Sequence, residues 1–395
     1  MTNYLDLALN TGFSMLKLMR SIMKHMVSIL CFGIMAVITL TAIRCNSSER
    51  SDFAKIPALI DSVRLSGPFD FCGEAVELDN PEVRERLEKE LLLALWDRPQ
   101  IILWIKRANR FFPIIEKMLQ EHDLPQDLKY IAVVESALRP HAGSNKGAVG
   151  FWQFLKATGR KYGLVINSRR DERRNIFRST QAAINYYKEL YELFGSWTLS
   201  AAAYNMGEQG LQTEILAQKT ENYYQLYLPL ETQRYLMKAV SAKIIFSAPQ
   251  DYGFKFSESD LYPPLEYDRI SLECSQETPL AVVAEAADTY FKRIKDLNPD
   301  IRGHYLPTGN LTLLIPRGAA DGFQARFNLL VDEWLVENRG RVYIVKSGDN
   351  LSAIAERFDV PLPALLIWNR LALNKPIYPG DRLVIYSERN TSQDE

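Results

Sequence analysis

The chain has 395 residues, 47% of them apolar and 24% charged, with a formal charge of −1. That is ample length for more than one domain with an ordinary core, and the balanced charge gives no reason to expect nucleic acid as a partner. Four histidines and four cysteines, with no cluster at metal-ligand spacing, argue against a zinc enzyme.

Residues 1–45 stand apart as a signal or anchor segment. Residues 26–43 carry no charge, and Lys17, Arg20 and Lys24 precede them. Such a run can just span a bilayer. Positive charge ahead of it predicts a cytoplasmic N-terminus and an exported body. Three readings stand: an uncleaved signal anchor, a lipid attached at Cys45, or a cleaved signal. Each places the main body in the cell envelope, facing the periplasm. Ala42-Ile43-Arg44 is a poor match to the small residues that precede a lipidated cysteine. Cys31 lies in the apolar run, while Cys72 and Cys274 read as separate thiols, since their spacing gives no pairing signal. Residues 46–75 read as a tether and lead-in.

Residues 76–247 read as one mainly α-helical domain. Asn80-Pro81 gives an N-cap and a first-turn proline, and Val83, Leu87, Leu91 and Leu95 follow at helical spacing. Further helices are predicted over 101–121, over 125–137 with a stop before Pro140, from Ser179 to about Gly195, over 197–205 with a break at Gly207, and over 230–247.

After Pro263-Pro264 the texture changes. Short β-like runs at 269–273, 311–315, 341–346 and 382–386 alternate with helical stretches, and 327–336 reads as a connecting helix. The segment Leu280-Ala281-Val282-Val283-Ala284-Glu285 matches Leu351-Ser352-Ala353-Ile354-Ala355-Glu356, and Asn298 matches Asn369, all at an offset of 71 residues. This predicts two copies of a β-α-α-β module, at 268–317 and 342–386.

Glu135 is the residue that needs explaining. In a helix over 125–137 it shares a face with Leu128, Ile131 and Ala132, and Val133 and Val134 make the other sides apolar. Burial and the negative end of the helix dipole both disfavour its charged form. A carboxyl kept protonated near neutral pH suits a general acid. The alternative is a core glutamate satisfied by Arg139 or Lys146. The Gly-, Ser- and Asn-rich loop that follows, leading into Phe151-Trp152-Gln153-Phe154, favours a ligand site, because exposed rings beside amides suit sugars.

Glu135-Ser136-Ala137, Ser144, Gly147-Ala148-Val149-Gly150-Phe151-Trp152-Gln153-Phe154, Ala203-Tyr204-Asn205-Met206-Gly207 and Glu231-Thr232-Gln233-Arg234-Tyr235 together resemble the lytic transglycosylase catalytic domain, which is similar in fold to goose-type lysozyme. Phe71-Cys72-Gly73-Glu74 and Lys106-Arg107-Ala108-Asn109-Arg110 resemble the membrane-bound lytic murein transglycosylase D family in particular. Residues 343–383 look like a LysM repeat, and 268–317 like a divergent copy with Gln276-Glu277-Thr278-Pro279 in place of Ser347-Gly348-Asp349-Asn350. The resemblance implies a multidomain protein with a lysozyme-like helical domain followed by small α+β modules. It implies cleavage of the β-1,4 bond between N-acetylmuramic acid and N-acetylglucosamine, with a 1,6-anhydro product and no metal or cofactor. Glu135 would be acid and then base. Ser144, Trp152, Gln153, Tyr204 and Asn205 would hold substrate, and Tyr235 would orient Glu135. Gly348, Asp349, Asn350, Leu351, Ile377, Pro379 and Gly380 would form the glycan-binding loops of the LysM module. Peptidoglycan strands and a membrane are the implied partners. Two rivals remain: a hydrolase recruiting Asp171 as a second carboxylate, and a wall-binding scaffold without activity.

Overall fold

The computed structural model describes residues 59–338, 342–369 and 371–385, with Met23 and Met26. The apolar run at 26–43, apart from Met26, lies outside the described residues, as do Cys31 and Cys45. Among the described residues no helix is long and apolar enough to cross a membrane. Contacts divide the chain into residues 59–249 with 254–395, which hold every element named below, and residues 1–58 with 250–253.

A small hairpin, β1 (Asp70–Phe71) and β2 (Glu74–Ala75), precedes the long helices. It falls in the segment read as lead-in, yet it is bound into the helical domain. Phe71 is fully buried. The Cys72 amide donates to Asp127, and Lys243 joins Asp70 to Asp127. Glu74 accepts hydrogen bonds from the Ser196 hydroxyl and the Trp197 and Thr198 amides. A carboxylate from over a hundred residues away thus caps a helix, which no local pattern could announce.

The longer helices are α1 (Pro81–Trp96), α2 (Arg98–Glu121), α3 (Lys129–Ser136), α4 (Ile176–Phe194), α5 (Trp197–Met206), α6 (Glu208–Gln218) and α7 (Leu230–Ser247). Asn80 caps α1 and Asp97 caps α2. Helix α3 follows a tighter 3-10 turn, Gln126–Leu128. Helix α4 begins earlier than Ser179 because Asn175 accepts from the Phe177 and Arg178 amides, leaving Ser179 and Thr180 buried inside it. Helix α7 packs against α1, α3 and α5. It buries residues on nearly every side, with Ala239, Ser241 and Ala242 allowing close approach.

The first β-α-α-β module comprises β3 (Asp268–Cys274), α8 (Leu280–Ala286), α9 (Phe291–Leu297) and β4 (Gly309–Ile315), with β3 antiparallel to β4. Helix α10 (Phe323–Asn338) starts before residue 327 and places Phe323 and Phe327 in this module's core, so it is part of the module rather than a connector alone. The second module comprises β5 (Val342–Ile344), α11 (Leu351–Arg357), α12 (Leu362–Asn369) and β6 (Arg382–Val384), around Ile354, Leu365 and Leu383. The repeat extends to single atoms. Asn298 donates to the Ile294 and Leu314 carbonyls and accepts from the Leu314 amide. Asn369 does the same with Leu365 and Val384. Asp288 and Asp359 are both left-handed, at φ 49° and 53°. Cys72 and Cys274 are free thiols.

The first module is fastened to the helical domain. Asp300, 1% exposed, accepts from Arg170 at 2.8 Å and from Asn175 at 3.0 Å. Its carbonyl accepts from the Asp171 amide, and the Arg302 amide donates to the Arg169 carbonyl. Arg169 also pairs with Glu277, and Arg269 lies over the Phe177 ring. Removing one partner of a buried ion pair leaves the other charge uncompensated unless a second partner stands by. Glu172 stands 3.6 Å from Arg170 and remains as its partner, so Asp300→Ala is expected to destabilise the protein by about 2 kcal/mol through the lost hydrogen bonds, measured by urea unfolding.

Candidate active site

Helix α3 is buried through Tyr130, Ile131, Ala132, Val133 and Ser136, and Glu135 lies half-buried at its end. The Tyr235 hydroxyl, carried on α7, donates to Glu135 Oε1 at 2.5 Å. Burial pushes the Glu135 carboxyl up to about 7. The Tyr235 hydrogen bond opposes this, Glu231 adds to it, and Lys238 opposes it. Among the described residues Glu135 has no ion-pair partner. Arg139 donates instead to the Ser136 carbonyl, and Lys146 reaches Glu231 on the surface.

The chain leaves α3 through two consecutive left-handed residues, Ala137 at φ 52° and Leu138 at φ 57°. For residues with a Cβ this costs on the order of 1–2 kcal/mol each. The turn is held from several sides. Arg107 donates to the Ala137 carbonyl, and the Ser136 hydroxyl donates to Ala132 and Phe151 carbonyls.

The loop beyond folds on itself through bridges between Gly143 and Val149 and between Val149 and Phe154. Arg173, 7% exposed, ties it down by donating to the Gly147 and Phe154 carbonyls. Gly150 has φ 86°, and a Cβ there would stand 1.8 Å from the Arg173 carbonyl oxygen. Only glycine fits that approach. Asp171 holds Arg173 through a two-pronged ion pair. Burial raises the Asp171 carboxyl, but Arg173 and Arg174 outweigh it and hold it below the usual carboxylate range. Its role is to brace the loop.

The other expected substrate contacts divide. Ser144 is exposed at the loop tip, accepting from the Ala148 amide. Gln153, left-handed at φ 49°, donates to the Gly150 carbonyl. Tyr204 donates to the Trp152 carbonyl at 2.7 Å, and Asn205 accepts from Thr232. Trp152 departs from expectation. Its ring is 1% exposed and its Nε1 donates to Thr180, so it supports the site from within and offers no stacking surface. The pattern Phe-Trp-Gln-Phe could not distinguish an inward from an outward ring.

Tyr187 was not singled out from the sequence. It lies 1% exposed with its ring parallel to Tyr204, centroids 4.9 Å apart. Its hydroxyl lacks a hydrogen bond of ordinary geometry. Burial, then the Glu135 carboxyl, raises its phenol, and the same two causes act on Tyr235. The site is thus walled by neutral phenols. Tyr187 follows Ala183 and precedes Leu190 on the buried face of α4, so its spacing reads as core.

In the second module the expected glycan loops also divide. Asp349 accepts from the Tyr343 hydroxyl and the Lys346 amide, and Asn350 caps α11 through the Ala353 amide. Both side chains shape the turn. Leu351 is in the core and Ile377 packs on it. Gly348 and Gly380 are left-handed and, with Pro379, exposed.

A family profile described as "Transglycosylase SLT domain" matches residues 112–227, and one described as "LysM domain" matches 343–385. The membrane-bound lytic murein transglycosylase D of Escherichia coli K12 is 32% identical over 331 residues, covering 80% of this chain and 72% of that protein. A putative tributyltin chloride resistance protein of Alteromonas sp. is 33% identical over 110 residues, covering 27% of this chain and 53% of that one. The 70 kDa soluble lytic transglycosylase of Escherichia coli overlaps 45% of this chain and 30% of its own, at 20% identity and a TM-score of 0.33. Extended identity through both the helical domain and the modules carries the assignment: the chain belongs to the membrane-bound lytic murein transglycosylase D family.

Proposed function

We propose that this protein is a peptidoglycan lytic transglycosylase in which Glu135 is the sole acid and base. The observation that carries this reading is the Tyr235–Glu135 hydrogen bond, made where no described residue forms an ion pair with Glu135. The protonated carboxyl would give its proton to the glycosidic oxygen as the bond to the muramic C1 breaks. The resulting carboxylate would take the proton of the muramic C6 hydroxyl as O6 bonds to C1. No water enters and Glu135 returns to its starting state. Tyr235 positions the carboxyl, and its hydrogen bond offsets only part of the rise that burial gives.

Hydrolysis by the usual routes needs a second carboxylate beside the bond. Asp171 does not suit that task, because Arg173 occupies both its oxygens. Ser144, Gln153, Tyr204 and Asn205 are assigned to the strand-binding cleft. The exposed edge formed by Gly348, Pro379 and Gly380 is assigned to glycan binding by the second module. Segment 26–43, or a lipid on Cys45, is assigned as the membrane tether, in keeping with the "membrane-bound" name of the Escherichia coli relative. A tether and a wall-binding module both raise the effective concentration of an insoluble polymer at the cleft.

Mass spectrometry of fragments released from purified peptidoglycan tests the chemistry. Anhydro-ended muropeptides are expected from the parent, and Glu135→Gln is expected to slow their release about 10²–10⁴-fold. Reducing ends would mark a hydrolase, and no release by either protein a scaffold. The rate should fall on the alkaline side of about pH 7, where the first proton is lost.

The same shift sets a stability profile. The folded state holds the Glu135 proton up to about pH 7, while the unfolded state releases it near the ordinary value of 4.5. Stability is therefore fully present below 4.5 and declines as pH rises through 7. Glu135→Gln removes that decline. The variant should exceed the parent by about 2–3 kcal/mol at pH 8 and match it near pH 4, as read by chemical unfolding.

A further inference from the structure

Residues 106–110, which match the family pattern, have no contact role at Glu135 itself. Arg107 and Arg110 face a cavity of about 500 Å3 where the helical domain, residues 262–266 and α9 meet. Arg139 and Arg293 face it too. Arg107, Arg110 and Arg139 donate only to the backbone carbonyls of Ala137, Pro263 and Ser136. None of the four forms an ion pair among the described residues. The two acids on the wall already have partners, Glu266 in Arg317 and Asp296 in Lys292. Burial, and then the nearby Arg139, make the protonated Arg107 less comfortable than usual. Such a cavity holds more positive charge than its own acids offset.

The position of the cavity limits what can fill it. One wall is Leu138 to His141, the chain that leaves the Glu135 helix, and Phe151 of the motif loop adjoins it. The opposite side, with Arg293, belongs to the first module, held in place by Asp300 and Arg302. A ligand here would be attached to, or adjacent to, whatever lies in the cleft. The sugars of a murein strand are uncharged, but each peptide hanging from a muramic acid carries free carboxylates. Planar carboxylates match guanidinium forks in shape and charge. Four extended residues span about 14 Å, enough to leave a cleft and enter a neighbouring cavity.

We propose that this arginine-lined cavity binds the carboxylates of the peptide carried by the glycan strand, so that peptide-bearing murein is cut in preference to bare glycan. The proposal rests on the transglycosylase reading above. The first β-α-α-β module then serves as one jaw of a peptide subsite, its loop residue Glu277 being engaged by Arg169.

The test compares kcat/KM on three preparations of one strand pool: with peptides intact, with peptide carboxyls amidated, and with peptides enzymatically removed. The full-length protein should favour intact strands about tenfold over both others. Arg293→Glu should bring that ratio close to one, and Arg293→Gln should reduce it less. Equal rates of the parent on all three preparations would overturn the proposal while leaving the transglycosylase reading intact. A uniform loss on all three in the Arg293 variants would also overturn it, marking the arginine as a brace. A preference for amidated over stripped strands would assign the effect to the peptide chain and not its carboxylates, again overturning it. If the parent cuts none of them, the transglycosylase reading fails and the subsite falls with it.

Discussion

The hydrogen bond between Tyr235 and Glu135 is the interaction around which the helical domain is arranged. A carboxyl in a low-dielectric site is tolerated when it is neutral or compensated. The fold supplies one neutral donor and, among the described residues, no ion-pair partner. To do so it must place the ends of α3 and α7 in register, and α7 achieves that by being buried against three other helices. Glu90, 3% exposed, grips Arg234 next to Tyr235, so the rotation of α7 is fixed beside the phenol.

Cations are nevertheless abundant around this carboxyl, and their placement follows a pattern. Arg107 and Arg139 turn donors toward backbone carbonyls at the end of α3, and Arg173 divides its donors between Asp171 and carbonyls of the loop that follows. Those carbonyls are the unsatisfied end of a helix dipole and the inner edge of an irregular loop. The arginines therefore hold the strained exit at Ala137 and Leu138 in place without neutralising Glu135. Rigid positioning and a raised pKa are compatible here because Arg107 and Arg139 are bound to backbone dipoles and not to the acid.

The parts of this design that were legible in the sequence are those written in short-range patterns. Helical spacing at Val83, Leu87, Leu91 and Leu95 places a buried face, and all four are buried. The apolar surroundings of Glu135 predict its discomfort. What stayed hidden depends on partners far along the chain. Glu74 reaches the α5 N-terminus, Asp300 reaches Arg170, and Trp152 turns inward to Thr180. Asp349 and Asn350 stand where glycan contacts were expected, but their side chains complete the turn itself. A polar residue in a loop can serve ligand or backbone, and composition alone does not separate the two.

The two modules show how one repeat comes to support different tasks. Asn298 and Asn369 make the same three hydrogen bonds, so the clamp between the second helix and the last strand is a requirement of the fold. The loop between first strand and first helix lies outside that clamp and is held differently in the two modules. In the second module it contains Gly348, exposed and left-handed. In the first the corresponding residue is Glu277, which is paired with Arg169 of the helical domain. A loop bound to its own protein is not free to bind a strand. Its divergence at Glu277 is therefore accounted for by docking, since Glu277 answers to Arg169, while Thr278 and Pro279 pair with Leu306 and Tyr305 within the module.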